Sequence, residues 1–320
     1  MEYRTFGNTG LRVSAIGFGG HAIGGDAAGD GYGRTDDDES RRAIVAAWAH
    51  GCNLFDTASV YGNGHSERLI GEALRMAGAV HDAVIVSKAG SKFDGEVIRA
   101  DYSDEALVRS VEGSLRRLGR DHLDVLLLHN PDREVVGSDG VFDCLDRLKL
   151  CGKIRHYGVS VHLVTEALTA AARPGVAALQ IVYSMLAHLH PAASGAGLLD
   201  VWTSDLASRV GLMAREPLGN GFLSGKYSEF HQLDPTDVRQ RIPVCDRRLR
   251  TRSAEILRRQ LAYGVTPAQG ALRFVLDERR FATTIVGMKT VRQAEENCAA
   301  ASLPALDDLL HTAALTEVTS

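Results

Sequence analysis

The sequence predicts an α/β fold, a (β/α)8 barrel of the TIM type preceded by a short β-hairpin, and three observations carry that prediction. Short apolar runs recur at eight places along the chain, with amphipathic helical stretches between them. Most of these runs are apolar throughout rather than alternating, as parallel strands covered on both faces are. No long linker breaks the alternation, which favours closure into one barrel over an open doubly wound sheet.

The hairpin comes first. Residues 3–6 and 11–14 flank the turn Gly7-Asn8-Thr9-Gly10, so residues 1–14 precede the barrel. Barrel strands are then expected at 15–18, 53–55, 83–87, 123–128, 154–159, 178–182, 212–214 and 283–286. Between them, Asp36 with Glu39 reads as a capping box, and Ile44, Ala47 and Trp48 share one helical face. Ser103 caps a helix with acidic Asp104 and Glu105 in its first turn, a stripe of Leu107, Val111, Leu115 and Leu118, and Gly119 as its stop. Thr266-Pro267-Ala268-Gln269 combines a cap, a first-turn proline and a capping-box glutamine ahead of Leu272. Thr290 with Gln293 repeats the pattern after the last strand. Residues 219–251 show no clear period, contain Pro235 and Pro243, and read as a long loop over the active-site face. The six arginines Arg239, Arg241, Arg247, Arg248, Arg250 and Arg252 in and beside it read as a solvated face.

The 320 residues, 45% hydrophobic and 24% charged, suit one barrel domain spanning 1–320. A net charge of −4 gives no reason to expect a nucleic acid or an anionic membrane as partner. The five cysteines are odd in number and scattered, which reads as free thiols in a reducing compartment. No apolar leader precedes the hairpin and no apolar run is long enough to span a bilayer, so a cytoplasmic location is expected. His188 and His190 lack nearby carboxylates or thiolates, and no metal is expected.

In such barrels the chemistry sits at the C-terminal ends of the strands. The polar residues there are His21, Asp56 with Tyr61, Lys88, His129, Ser160, Gln180 with Tyr183, Arg215 and Lys289. Asp56, Tyr61, Lys88 and His129 follow three successive strands and would converge. A tyrosine can deliver a proton to a carbonyl oxygen, but its ordinary pKa of about 10 makes it a sluggish donor. A lysine ammonium beside it favours the phenolate, an aspartate holds that lysine charged, and a histidine can orient the carbonyl.

These residues lie in FDTASVYGNGHSERLIGEAL, SKAG and LDVLLLHNPD, followed by KIRHYGVS and IVGMKTVRQAEEN, with YRTFGNTGLRVSAIGFGG at the start. In that order, and across nearly the whole chain, the segments resemble the successive motifs of the aldo-keto reductase superfamily. The resemblance implies a catalytic tetrad of Asp56, Tyr61, Lys88 and His129, with Tyr61 as general acid in reduction and base in oxidation. It implies NADP(H)-dependent hydride transfer between nicotinamide and the carbonyl or alcohol of an aldehyde, ketone or sugar. A sugar dehydrogenase working oxidatively is the alternative of the same chemistry. A cofactor-sensing regulator like the potassium-channel β-subunits is the alternative of another class.

No GxGxxG fingerprint lies between a strand and a helix, so the cofactor needs a different phosphate site. The run Arg215-Glu216-Pro217-Leu218-Gly219-Asn220-Gly221, ending at Lys226, resembles the family's cofactor-clasping loop. Gly287 and Lys289 open the last helix, whose N-terminus attracts anions. Lys289, Gln293 and Asn297 resemble the pattern for the adenosine 2′-phosphate and adenine, and the lysine favours NADP(H). Ser160 and Gln180 match positions that contact the nicotinamide carboxamide. Gly20, His21 and Asp56 complete the expected cofactor contacts. Two positions depart from the family: Arg215 stands where many members have a stacking aromatic, and Val161 where an asparagine is common. Residues 183–199 and the long loop are expected to line the substrate pocket, and a monomer or weak homo-oligomer is expected.

Overall fold

The computed structural model describes residues 1–25, 31–95, 97–187, 192, 194–228 and 230–306. The chain opens with β1 (Tyr3–Thr5) and β2 (Arg12–Ser14), then β3 (Ile16–Gly19), α1 (Asp37–Ala49), β4 (Leu54–Asp56), α2 (His65–Met76) and β5 (Val84–Ala89). A small hairpin, β6 (Ser91–Phe93) and β7 (Ile98–Ala100), precedes α3 (Asp104–Leu118) and β8 (Leu123–His129). Next come α4 (Arg133–Gly137), α5 (Asp139–Leu150), β9 (Ile154–Ser160), α6 (Val164–Ala171) and β10 (Val176–Val182). The last third holds α7 (Gly195–Leu199), α8 (Ser204–Arg209), β11 (Gly211–Arg215), α9 (Val244–Gln260), α10 (Pro267–Asp277), β12 (Phe281–Gly287) and α11 (Val291–Ala299).

Eight parallel strands close a barrel in the order β3-β4-β5-β8-β9-β10-β11-β12, the last pairing back to the first from Thr284↔Ile16 to Gly287↔Gly19. All eight expected strands are present at the expected places, and β1 pairs antiparallel with β2 as the separate N-terminal hairpin. The core has two parts. Phe6, Val13, Leu54, Val86, Val125, Leu127, Ala178, Met213 and Ile285 pack together inside the barrel. A larger shell, including Ile44, Leu107, Leu115 and Leu272, fills the space between strands and helices. Phe6 and Val13, both fully buried, plug the base of the barrel. The Phe6 ring lies where a Cβ at residue 211 would project, so Gly211 is what lets the plug seat.

The same end carries a buried charge cluster. Asp124 Oδ2 accepts from Ile85 N at 2.9 Å and Arg120 Nη2 at 3.0 Å, and Oδ1 accepts from Arg155 Nη1 at 3.0 Å. Arg120 also donates to the carbonyls of Val80 and Ala83. The carboxylate is thereby matched and the strand starts are tied together.

Caps at Ser103 and Gly119, and the two-way capping box of Thr266 and Gln269, form as their sequence implies. Asp36 accepts from Glu39 N, but the Glu39 carboxylate does not return the bond; it accepts from Val291 N and Arg42 instead, so only half of that box forms. The expected long loop is shorter than 219–251, because α9 begins at Val244 directly after Pro243. Its buried face is Thr251, Ser253, Ala254 and Leu257, too polar to register as an apolar stripe. The β6–β7 hairpin was not expected; its strands are three residues each, too short for a periodic signal. His188 and His190 lie outside the described residues. Among the described residues no helix is long and apolar enough to cross a membrane. All five cysteines are free thiols.

Candidate active site

Side chains alternate along a strand, so the interior apolar residues set the phase for what stands above them. On β4 the interior row runs Leu54 then Asp56; on β5, Val84, Val86 then Lys88; on β8, Val125, Leu127 then His129. On β10 it runs Ala178 then Gln180, and on β11 Met213 then Arg215. The polar residues are therefore the top layer of the barrel filling. Tyr61 arrives from the loop after β4, through a turn in which Gly62 and Gly64 adopt positive φ. A Cβ on Gly62 would overlap the Gly24 carbonyl, so this glycine lets the Tyr61 turn pack against the loop after β3.

Lys88 Nζ donates to Asp56 Oδ1 at 2.5 Å and to the Thr57 carbonyl at 3.0 Å, and sits 5.0 Å from the centre of the Tyr61 ring. The His129 ring meets Tyr61 edge-on at 5.7 Å, and His21 lies 4.7 Å from it. The four residues expected to form the tetrad are thus together. Burial works against the Lys88 charge, but Asp56 and Tyr61 together outweigh it and raise the lysine pKa, keeping an ammonium. Burial also pushes the Tyr61 hydroxyl above its ordinary pKa; Lys88 pulls it down, and Asp56 adds to the rise. The lysine acts in the expected direction, yet the net shift is upward. Burial, then the charges of Lys88 and Arg215, drive His129 well below its usual pKa, so its imidazole is neutral. His129 Nδ1 is buried with no protein partner. Placing the ring proton on Nε2 spares an orphaned buried N–H and leaves Nε2–H as the donor.

The other strand-end residues divide. Ser160 Oγ donates to Gln180 Oε1 at 2.9 Å, and Gln180 Nε2 donates across the barrel to Asp56 Oδ2 at 2.7 Å. Arg215 Nη2 reaches Val161 O at 3.2 Å, Asn130 Oδ1 at 3.3 Å and a nitrogen of the His162 ring at 3.0 Å, while its Nε is buried without a partner. Tyr183 packs on Phe274 and Phe281 and belongs to the core. Gly20 is held by packing: a Cβ there would press on Ser66 Oγ and the Asp56 carbonyl.

Past β11 the chain bends through Glu216, Gly219, Asn220 and Gly221, all with positive φ. Pro217 is buried there and Leu218 packs against the core. Lys226 is exposed, its ammonium 5.4 Å from the Tyr227 ring. At the start of α11, Thr290 caps the helix and Gln293 Oε1 accepts from Lys289 N at 2.7 Å. Lys289 Nζ donates to the Tyr32 carbonyl at 2.6 Å. Asn297 is buried and turned toward the Gly287 carbonyl. Glycine turns, two lysines and a helix N-terminus make a donor set that suits a phosphorylated dinucleotide, and the orphaned His129 Nδ1 and Arg215 Nε lie in the same mouth.

The sequence pattern does not reveal Arg239, expected on a solvated face. It is buried, paired with Asp237 at 2.6 and 2.9 Å, and stacked against Tyr32 at 4.9 Å, Tyr227 at 4.8 Å and Phe222 at 5.6 Å. Val238 N donates to the Gly31 carbonyl at 3.0 Å and Asn220 Nδ2 to Tyr32 Oη at 3.2 Å. Together these contacts tie the segments around Tyr32 and Arg239 into one strap beside Lys289. A charge run in sequence gives no hint of an arginine enclosed by rings from distant segments.

The sequence matches the Aldo/keto reductase family over residues 15–313. It is 29% identical over 309 residues to L-galactose dehydrogenase of Arabidopsis thaliana, covering 94% of this chain and 88% of that protein. It is 30% identical over 303 residues to aldo-keto reductase str7 of Strobilurus tenacellus, covering 91% and 85%. A probable voltage-gated potassium channel subunit beta of Arabidopsis thaliana is 29% identical, covering 93% and 90%. In fold the chain is similar to an aldo-keto reductase from Bacillus halodurans in its holo form, with a TM-score of 0.77, 23% identity, and 99% and 96% of the chains covered. With a closed parallel barrel and a family match over residues 15–313, the chain belongs to the aldo/keto reductase family, a family of oxidoreductases.

Proposed function

We propose that this protein is an NADP(H)-dependent oxidoreductase that exchanges hydride between nicotinamide and a carbonyl or alcohol carbon, with Tyr61 handling the proton. The observation that carries the reading is the buried Lys88 ammonium, held by Asp56 at 2.5 Å and facing the Tyr61 ring. In reduction the carbonyl carbon gains a hydride and its oxygen gains the Tyr61 proton, so a carbonyl becomes an alcohol. The nicotinamide, when bound, supplies that hydride or accepts it. Lys88 stabilises the phenolate left behind, and neutral His129 donates a hydrogen bond that orients the substrate oxygen. Arg215, the turn Pro217-Leu218-Gly219-Asn220-Gly221, Lys226, Gly287, Lys289, Gln293 and Asn297 would hold the dinucleotide, with Lys289 on the adenosine phosphate.

Loss of NADPH absorbance with a reactive aldehyde, abolished in Tyr61→Phe, tests the reading. Full turnover by that variant would sink the assignment. The likeness to L-galactose dehydrogenase favours a second reading, in which the same residues oxidise a sugar. It is tested by initial rates with free aldoses and each oxidised cofactor. The relatives named as channel subunits are addressed by the same assays, because a regulator would bind cofactor without turnover.

A further inference from the structure

The geometry points to Arg215 as the residue through which this site distinguishes the two oxidation states of its cofactor, disfavouring the cationic oxidised nicotinamide against the neutral reduced one. The inference deepens the proposed function and rests on its reading of Tyr61 and His129 as the pair that holds the substrate oxygen. Hydride exchange requires the nicotinamide ring to lie against the carbon attached to that oxygen. The glycine turn and the lysines that suit the phosphates follow β11 and β12, so the ring enters the mouth from that side. Arg215 is the last residue of β11 and continues its interior row above Met213. Lys88 and Arg215, both cations at the top of the barrel, differ in their partners. Lys88 is neutralised by Asp56 at 2.5 Å. Arg215 Nη2 donates to Val161 O at 3.2 Å, Asn130 Oδ1 at 3.3 Å and the His162 ring at 3.0 Å, all uncharged acceptors. Among the described residues its guanidinium has no carboxylate partner, and its buried Nε has no partner at all.

Two rings beside this guanidinium register its charge. Burial and Arg215 pull His162 down to about 4, and burial, then Lys88 and Arg215, hold His129 neutral. Each imidazole avoids a second positive charge by giving up a proton. Oxidised nicotinamide carries a fixed charge and has no proton to give up, so the same repulsion falls on its affinity. Of the other groups facing the mouth, Tyr61 is kept protonated by burial and His21 lies 4.7 Å from its ring. The Glu216 carboxylate bears on His162 and Tyr32, whereas Arg215 bears on Tyr61 and His129 as well. Weaker binding of the oxidised form raises the potential of the bound couple, by about 30 mV for each tenfold in the ratio of dissociation constants. Hydride exchange on the protein is thereby tilted toward the alcohol's oxidation: its carbon gives hydride to the ring, and its hydroxyl proton goes to the Tyr61 phenolate.

The test measures dissociation constants of NADPH and NADP+ for the parent, Arg215→Lys, Arg215→Gln and Arg215→Met in the full chain. Fluorescence titration serves for NADPH and isothermal calorimetry for NADP+. The parent is expected to hold NADP+ about tenfold or more weakly than NADPH. In Arg215→Met and Arg215→Gln that ratio should fall by about tenfold, and any lost contact common to both forms cancels in it. Arg215→Lys, which keeps the charge, should keep the ratio within about threefold of the parent's. The ringless analogue 2′-phospho-ADP-ribose should bind every variant within about twofold of the parent, which shows the rest of the site intact. The inference is overturned if the Arg215→Met and Arg215→Gln ratios stay within about twofold of the parent's. It is overturned equally if Arg215→Lys loses the ratio as fully as they do, because the fork of the guanidinium rather than its charge is then responsible. A parent that binds both forms but neither reduces carbonyls nor oxidises alcohols defeats the proposed activity, and the ratios then decide the role of Arg215 alone. A parent that binds neither form defeats both.

Discussion

Asp56 and Asp124 are both buried aspartates paired with a buried cation, one at each end of the same barrel, and they are built for different work. Asp124 meets two arginines and a backbone amide, and Arg120 passes on to two carbonyls and the His122 ring, so the pair is tied chiefly into guanidinium and backbone partners. An arginine stays protonated under all ordinary conditions. Asp56 meets a lysine, whose proton affinity responds to its surroundings, and that lysine borders a tyrosine as well as the Thr57 carbonyl. The first arrangement is a staple. The second holds a charge in place beside Tyr61, the group that on the proposed reading gains and loses a proton. Burial of an ion pair therefore says little about purpose until the cation's chemistry and its remaining neighbours are known.

The largest expected effect that separates the two ends is catalytic. Tyr61→Phe should cut turnover by about 10²–10⁴-fold, the usual weight of a positioned acid or base, with unfolding temperature and NADPH affinity near the parent's. Arg120→Met should do the reverse, costing about 3–5 kcal/mol of stability in chemical denaturation because Asp124 loses a buried partner. Its kcat profile against pH should overlay the parent's; a shifted profile would break the contrast between the ends.

A pH series sharpens the contrast at the mouth. Because the Tyr61 pKa is raised, its protonated form persists through neutral pH and beyond. The reductive rate should stay flat there and decline only above the raised pKa. The oxidative rate, which needs the phenolate, should climb about tenfold per pH unit on the way up to it. An oxidative rate flat from pH 6 to about 9 would contradict the assignment of Tyr61 as the base. The smallest effect concerns Lys289. Replacing it by Met should weaken NADPH by about tenfold while leaving NADH within about twofold, measured by fluorescence titration.

Much of this was legible in the sequence because it is local. An apolar run followed by a polar residue places Lys88 or His129 on its strand and, through the strand's alternation, in the top layer of the barrel. Ser103 and Thr266 announce their helices because a cap is chemistry over three residues. The half-formed box at Asp36 shows the limit: Glu39 was drawn to Val291, which is 252 positions away. The bond from Gln180 to Asp56 spans 124 positions and the barrel's width, and no periodicity encodes it. Arg239 owes its burial to rings at Tyr32, Phe222 and Tyr227 that meet only after closure. The start of α9 was masked by a contact face of Thr, Ser and Ala.

The plug of Phe6 and Val13 has a consequence for traffic. With the base shut by the hairpin, the barrel is a vessel with one mouth, and everything that reaches Tyr61 enters and departs over the same rim. Two guests sharing one doorway must take turns. On the proposed function those guests are cofactor and substrate, and whichever is seated deeper would have to arrive first and leave last, an order set by a phenyl ring at the far end of the molecule.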